Sequence, residues 1–242
     1  MPLPKIRSLC TSLVLLASLD ATATELVVLV GTGTEMPMAR FANGEVVDGI
    51  HKDIGDALAA ATGRSARFLN LPRKRMAKAL EEGAADILCS YVSEWLPGPF
   101  DWSTPFIPII EVLITDIKTV RPTSLFELAG KPIGTVLGYS HPEIDEVLGK
   151  SFVRDDASNA ETNLRKLAAG RVQYALTGKA FLEYRLKLRD PALALHPPMV
   201  VKTYMGQCAV SRRGHVTVAD IDAAIVKMQA AGVMAKILLR YQ

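Results

Sequence analysis

The chain has 242 residues, 49% apolar and 22% charged, with a formal net charge of +3. That length admits one large domain or two small ones, and a balance so near neutral gives no support to nucleic-acid binding by bulk charge. The histidines, His51, His141, His196 and His215, are scattered without metal-ligand spacing, so no metal or other cofactor is expected.

Residues 1–23 read as a secretory signal peptide. Lys5 and Arg7 give a positive start, an apolar stretch follows, and Ala21-Thr22-Ala23 fits a small-residue cleavage site. The stretch is about 12 residues, against the roughly 20 that span a bilayer; an uncleaved anchor is the alternative. Lys5, Arg7 and Asp20 carry a net +1, so the remainder carries +2. Export leaves Cys89 and Cys208 in a compartment where thiols oxidise. Two arrangements are open: a bridge between them, or two buried thiols in apolar strands.

Glu25–Gly31 is apolar and β-branched and reads as a strand. Gly31-Thr-Gly33-Thr34 breaks it; the rest of a dinucleotide or phosphate-loop pattern is missing, so this is a turn. Asn43-Gly44 signals a tight turn. Residues 48–61 carry Ile50, Ile54, Ala57, Leu58 and Ala61 at helical spacing, with Gly63 as a stop. A strand over 66–71 follows. Pro72 then opens a helix that turns Met76, Ala79 and Leu80 inward, Gly83 ends it, and 86–89 is a third strand. This β-α-β-α-β order implies a parallel sheet with right-handed crossovers, whose ligands gather at the carboxyl ends of strands. Here those ends are 32–38, 70–75 and 90–95.

Residues 95–108 are rich in proline and glycine and read as a loop, before an apolar strand over 109–115. A second α/β series has strands over 132–137 and 172–177. Its helices are Pro142–Leu148, 157–169 and Lys179–Leu188. A late strand over 204–211 and helices over Val218–Ala230 and 233–239 close the chain. One phrase recurs in form in both series, with only its Leu and Gly shared: Leu80-Glu-Glu-Gly83-Ala-Ala-Asp86 up to Ser90, and Leu167-Ala-Ala-Gly170-Arg-Val-Gln173 up to Thr177. Each ends a helix on a glycine suited to the left-handed position, then enters a strand that stops at a hydroxyl. Two halves built alike suggest two lobes facing a cleft, with Ser90 and Thr177 as opposing lips.

Several phrases, in order, carry a resemblance over nearly the whole mature chain: Asn43-Gly-Glu-Val-Val-Asp-Gly49, Ala79-Leu-Glu-Glu-Gly83-Ala-Ala-Asp86, Asp101-Trp-Ser-Thr-Pro-Phe106, Leu125-Phe-Glu-Leu-Ala-Gly-Lys131, Gly138-Tyr-Ser140, and Met228-Gln-Ala-Ala-Gly232. The chain resembles the extracellular solute-binding proteins of family 3, the receptors of bacterial ABC importers. The resemblance implies a two-lobed α/β fold of the periplasmic-binding-protein type II, with mixed sheets flanked by helices. Two hinge strands, 109–116 and 204–211, would join lobe 1 (24–116 and 204–242) to lobe 2 (117–203). It also implies a periplasmic monomer that captures a small polar or anionic organic solute and delivers it to an ABC permease of the inner membrane.

The chain departs from the amino-acid-binding members where they usually hold the ligand. They carry an arginine after the third strand, where this chain reads Ser93-Glu-Trp-Leu-Pro97. They carry an aspartate near Gly178, and an acid where Gln173 stands. Other residues must then hold the ligand. Arg73 and Arg75 sit at a strand end and helix start, where guanidinium can fork onto an acid group. Gly138, Tyr139 and Ser140 lead into a helix whose N–H groups make a second polar wall. Ser90, Ser93 and Thr177 offer hydroxyls, Glu35 a carboxylate, and Tyr91 and Trp95 can stack on a ligand. Trp102, within the 101–106 phrase, is read as structural. His141 has no visible partner cluster and is read as neither ligand nor base.

The expected function is therefore binding rather than catalysis. An exported enzyme on the same fold, dehydratase-like, is an alternative, but Glu35 and Glu94 lack an evident acid/base partner. An orphan ligand sensor is another.

Overall fold

The structure is a computed structural model that describes residues 24–189 and 193–241, so the 1–23 segment lies outside the described residues. Strand β1 (Glu25–Gly31) is followed by a hairpin, β2 (Arg40–Ala42) and β3 (Glu45–Asp48), that turns at Asn43-Gly44, where both residues have positive φ. Helix α1 (Ile50–Ala61), β4 (Ser65–Leu71), α2 (Arg73–Glu81) and β5 (Ile87–Tyr91) complete the first series. β1 lies between β4 and β5 and is parallel to both, as the β-α-β-α-β reading requires. Alternate residues of β1 enter different cores. Leu26, Val28 and Val30 pack toward α1, while Val27 and Leu29 pack toward Met76 and Leu80 of α2. A strand covered on both faces is apolar throughout, which explains its unbroken run.

After β6 (Asp101–Trp102), β7 (Ile107–Thr115) begins the second series: β8 (Pro132–Val136), α3 (Pro142–Leu148), β9 (Val153–Ala157), α4 (Ala160–Ala168), β10 (Tyr174–Gly178) and α5 (Lys179–Leu188). Strand β11 (Met199–Val210) and helices α6 (Val218–Ala230) and α7 (Val233–Arg240) follow. One nine-stranded sheet runs β4-β1-β5-β11-β7-β10-β8-β9, with β6 on β11. β11 belongs to both halves: Met199 to Gly206 pair with β7, and Gln207 to Val210 with β5. The second half has its own cores, one around Val112, Ile114 and Leu164, the other around Leu113, Ile133 and Ile144.

Both glycines of the repeated phrase adopt the left-handed conformation, with φ of 77° at Gly83 and 68° at Gly170. Gly83 is doubly constrained, since a Cβ there would lie 2.6 Å from the Arg213 carbonyl oxygen. Asp86, three residues on, is fully buried. Its carboxylate accepts the N–H of Val27 at 2.7 Å and of His215 at 2.6 Å, tying the start of β1 to the loop before α6. Of the two cysteine arrangements, the bridge is formed: Cys89 of β5 faces Cys208 of β11 in register, and the two sulfurs are bonded.

Three expectations are corrected. β9 falls where only a helix from 157 was read, because Val153-Arg-Asp-Asp156 is a polar edge strand without an apolar face. α4 starts at Ala160, where the Asn159 side chain caps the N–H of Thr162 at 2.8 Å. β11 begins at Met199, since its exposed Lys202 and Thr203 mask the pairing with β7. Among the described residues, no helix is long and apolar enough to cross a membrane.

Candidate functional site

A cavity of about 240 Å³ opens where the carboxyl ends of β1, β5 and β10 meet the N-terminal ends of α2, α3, α4 and α5. Pockets for drug-sized ligands measure roughly 300–1,000 Å³, so this space suits a smaller solute. Its wall is largely apolar, with Met38, Ile50, Ile107, Val136, Leu176 and Phe181 among its members.

Glu35, Arg73, Ser90, Tyr91, Trp95, Tyr139, Ser140 and Thr177 all line this cavity. Arg75, Ser93 and Gly138 do not. Successive helical residues turn by about 100°, so Arg75 projects some 200° around α2 from Arg73; it is exposed, and only Arg73 reaches the wall. Ser93 is exposed in a short 3-10 turn and donates its hydroxyl to Glu94 at 3.0 Å. Gly138 stands just behind the wall, where a Cβ would lie 3.7 Å from Arg73 Cδ.

Arg73 is held from both series. Its Nη1 donates to the Tyr91 hydroxyl at 2.9 Å, and the guanidinium lies 5.4 Å from the Tyr91 ring centre and 5.1 Å from that of Tyr139. Burial raises the Tyr91 phenol above its ordinary value, with the Arg73 charge opposing in part, so the ring stays neutral. Trp95 meets Tyr91 edge-on at 6.2 Å and Tyr204 at 4.7 Å. Glu35 reaches α4, where it accepts the N–H of Glu161 at 2.9 Å. Burial raises the Glu35 carboxyl above its usual range, and that hydrogen bond opposes the rise. His51, also in the wall, is pushed by burial down to about 4, so its ring is neutral near pH 7.

Ser90 is buried and has φ of 61°, outside the ordinary range for a residue with a side chain. Such a conformation costs on the order of 1–3 kcal/mol. It sits beside an irregularity in the pairing with β11, between Gln207 and Cys208.

The sequence reading missed Glu111. It lies on β7, and its Oε1 is 2.6 Å from Nδ1 of His141, whose side chain is only 3% exposed. His141 thus has a partner after all, brought from 30 positions away by the packing of α3 on β7. A lone acid inside Ile109-Ile-Glu-Val-Leu-Ile114 was the available signal, because an acid in an otherwise apolar strand is rarely buried without a partner.

Four buried side-chain atoms of the wall have no hydrogen-bond partner: Ser90 Oγ, Glu111 Oε2, His141 Nε2 and Thr177 Oγ1. Buried polar atoms are nearly always paired, so their convergence on one cavity marks it as a place where something polar is received. Among the described residues no group of three or more His, Cys, Asp or Glu side chains could hold a metal ion.

The solved structures settle the architecture. An ancestral arginine-binding protein bound to arginine matches with a TM-score of 0.75 at 22% identity, over 91% of this chain and 99% of its own. An ancestral amino-acid-binding protein, described as a precursor of cyclohexadienyl dehydratase, matches at 0.73 and 16%, over 90% and 95%. An arginine-, lysine- and histidine-binding protein of the thermophilic bacterium Geobacillus stearothermophilus matches at 0.71 and 16%, over 90% and 95%. The fold is two-lobed and periplasmic-binding-protein-like. No protein-family model and no curated protein sequence matches the chain. β11 is the strand that pairs with both halves, and the cavity is lined by residues of both series.

Proposed function

We propose that this protein captures a small polar organic solute between its two lobes and hands it to an ABC permease of the inner membrane. Lobe 1 comprises 24–116 and 204–242, and lobe 2 comprises 117–203. The first 23 residues direct export, and the protein works as a periplasmic monomer. The observation that carries this reading is the set of four unpartnered polar atoms around one cavity, contributed by both lobes. A solute that satisfies them draws the lobes together. Moving closure from 1:99 to 99:1 takes about 5.5 kcal/mol of differential affinity, within reach of a few charge-assisted hydrogen bonds at roughly 1.5–3 kcal/mol each.

Amino acids head the candidates, since the structural neighbours are described as binding them. Arg73 receives the acid group of the solute, its planar fork held by Tyr91 and Tyr139. The test is a thermal-shift screen of residues 24–242 against organic solutes, with tryptophan emission as a second readout through Trp95. A solute at 100 times its Kd adds about 2.7 kcal/mol. Absence of any shift across amino acids, amines and organic acids would overturn the proposal.

A second reading is an enzyme on the same fold. The Glu111–His141 pair favours it, because a carboxylate holding an imidazole is an acid/base arrangement. Consumption of a bound solute during prolonged incubation would establish turnover, and its full recovery leaves the binding role.

A further inference from the structure

We infer that Glu111, braced by His141, is the cation-recognising group of the cleft and takes an ammonium, or a comparable positively charged N–H group, of the solute. This rests on the proposal that the cleft binds a small solute. Glu111 extends from the apolar strand β7, and its side chain is 14% exposed. One carboxylate oxygen is engaged by His141 Nδ1 at 2.6 Å, while Oε2 is buried and unpartnered. A carboxylate oxygen removed from water without a partner is costly, and a positively charged donor is the partner that compensates it most strongly.

Among the described residues the surroundings supply no such donor: Lys179, also in the wall, pairs with Glu183. Tyr204 gives its hydroxyl to Glu143, and Lys202 pairs with Glu143. Arg73 is drawn the other way, between the Tyr91 and Tyr139 rings. Room exists beside the acid. Glu111 pairs in register with Gly178 of β10, both residues line the cavity, and a Cβ built on Gly178 meets nothing within 4 Å. Registered residues of neighbouring antiparallel strands point to the same face, so the missing side chain at 178 leaves the face beside Glu111 open. Arg73 and Glu111 then form two poles of opposite charge on one cavity. His141 is a positioning residue: its Nδ1 bond fixes the orientation of the carboxylate from the start of α3.

The experiment is calorimetric titration near pH 7 with the common L-amino acids and putrescine, and with the amine-free 2-hydroxy acids that correspond to the amino acids. The expected result is that an amine-bearing solute binds at least tenfold more tightly than its hydroxy counterpart, and that Glu111→Gln removes this preference. Should Glu111→Gln fail to fold, Gly178→Lys and Gly178→Gln carry the test at an open position. Gly178→Lys sets a resident cation beside Glu111 and weakens amine binding at least tenfold more than Gly178→Gln does. Solute binding with equal affinity in wild type and Glu111→Gln, or an equal effect of the two Gly178 substitutions, overturns the inference and leaves the solute-binding proposal standing. No binding by either series of solutes overturns both.

Discussion

Glu35 Oε2 accepts the backbone N–H of Glu161 at 2.9 Å, so a loop of the first series caps the first turn of a helix in the second. The N–H groups of a helix start lack partners within the helix, and a carboxylate there is favoured by the helix dipole. The same carboxylate is half-buried, and that burial raises its pKa from 4.5. A raised folded-state value means the folded protein binds the proton more readily than the unfolded chain. The contribution of Glu35 to stability therefore falls as pH rises above the ordinary carboxylate range. Glu35→Gln keeps an oxygen that can accept the N–H and removes the charge. Urea unfolding from pH 4 to 7 should show Glu35→Gln close to wild type at the acid end and more stable than wild type at pH 7. Glu35→Ala, which orphans the helix start, should be destabilised by about 0.5–2 kcal/mol.

Asp86 makes a different kind of tie. It is fully buried, and it holds two backbone N–H groups plus the His215 ring at 3.1 Å. Asp86→Ala leaves those donors unpaired across β1 and the loop before α6. The expected loss is about 3–5 kcal/mol in denaturant unfolding, in the range for breaking a buried polar cluster. Solute affinity extrapolated to the folded fraction should be unchanged, since Asp86 does not reach the cavity.

These two acids show what a sequence discloses. Helix α1 was legible because burial of one face imposes a period, and strand β1 because burial of both faces makes an unbroken apolar run. The glycines at 83 and 170 were legible because a left-handed position admits little else. Strand β9 was not, since an edge strand of arginine and aspartate has neither period. The cavity wall was half legible. Residues at strand ends, such as Ser90 and Thr177, followed from topology. Glu111 and His141 did not, because their meeting depends on how α3 packs against β7. The choice between Arg73 and Arg75 needed the rotational setting of α2, which a run of three cations does not disclose.

The Cys89–Cys208 bridge closes a loop of 119 residues that contains the whole second series. In the chain-entropy account such a loop stabilises by about 4–5 kcal/mol. The double substitution Cys89→Ala with Cys208→Ala should lower unfolding free energy by up to that amount. Adding reductant to wild type should approach the same value, and reductant should leave the double variant unchanged. Equal stability with and without reductant in wild type would mean that the bridge constrains little of the unfolded chain.

Arg73 and Arg75 differ sharply in placement. Arg73 lies between two tyrosine rings and lines the cavity, while Arg75 is exposed on the other side of α2. For an acid-bearing solute found in the screen, Arg73→Ala should weaken binding at least tenfold, about 1.4 kcal/mol. Arg75→Ala should stay within twofold, because its charge faces solvent and is screened. Arg73→Lys separates charge from shape. An ammonium preserves the positive pole but lacks the planar fork and the ring stacking of guanidinium, so it should recover only part of the loss. Isothermal titration of the three variants against one solute checks the series. Full recovery by lysine would show that charge alone anchors the acid group, and equal losses at 73 and 75 would place the anchor elsewhere in the wall.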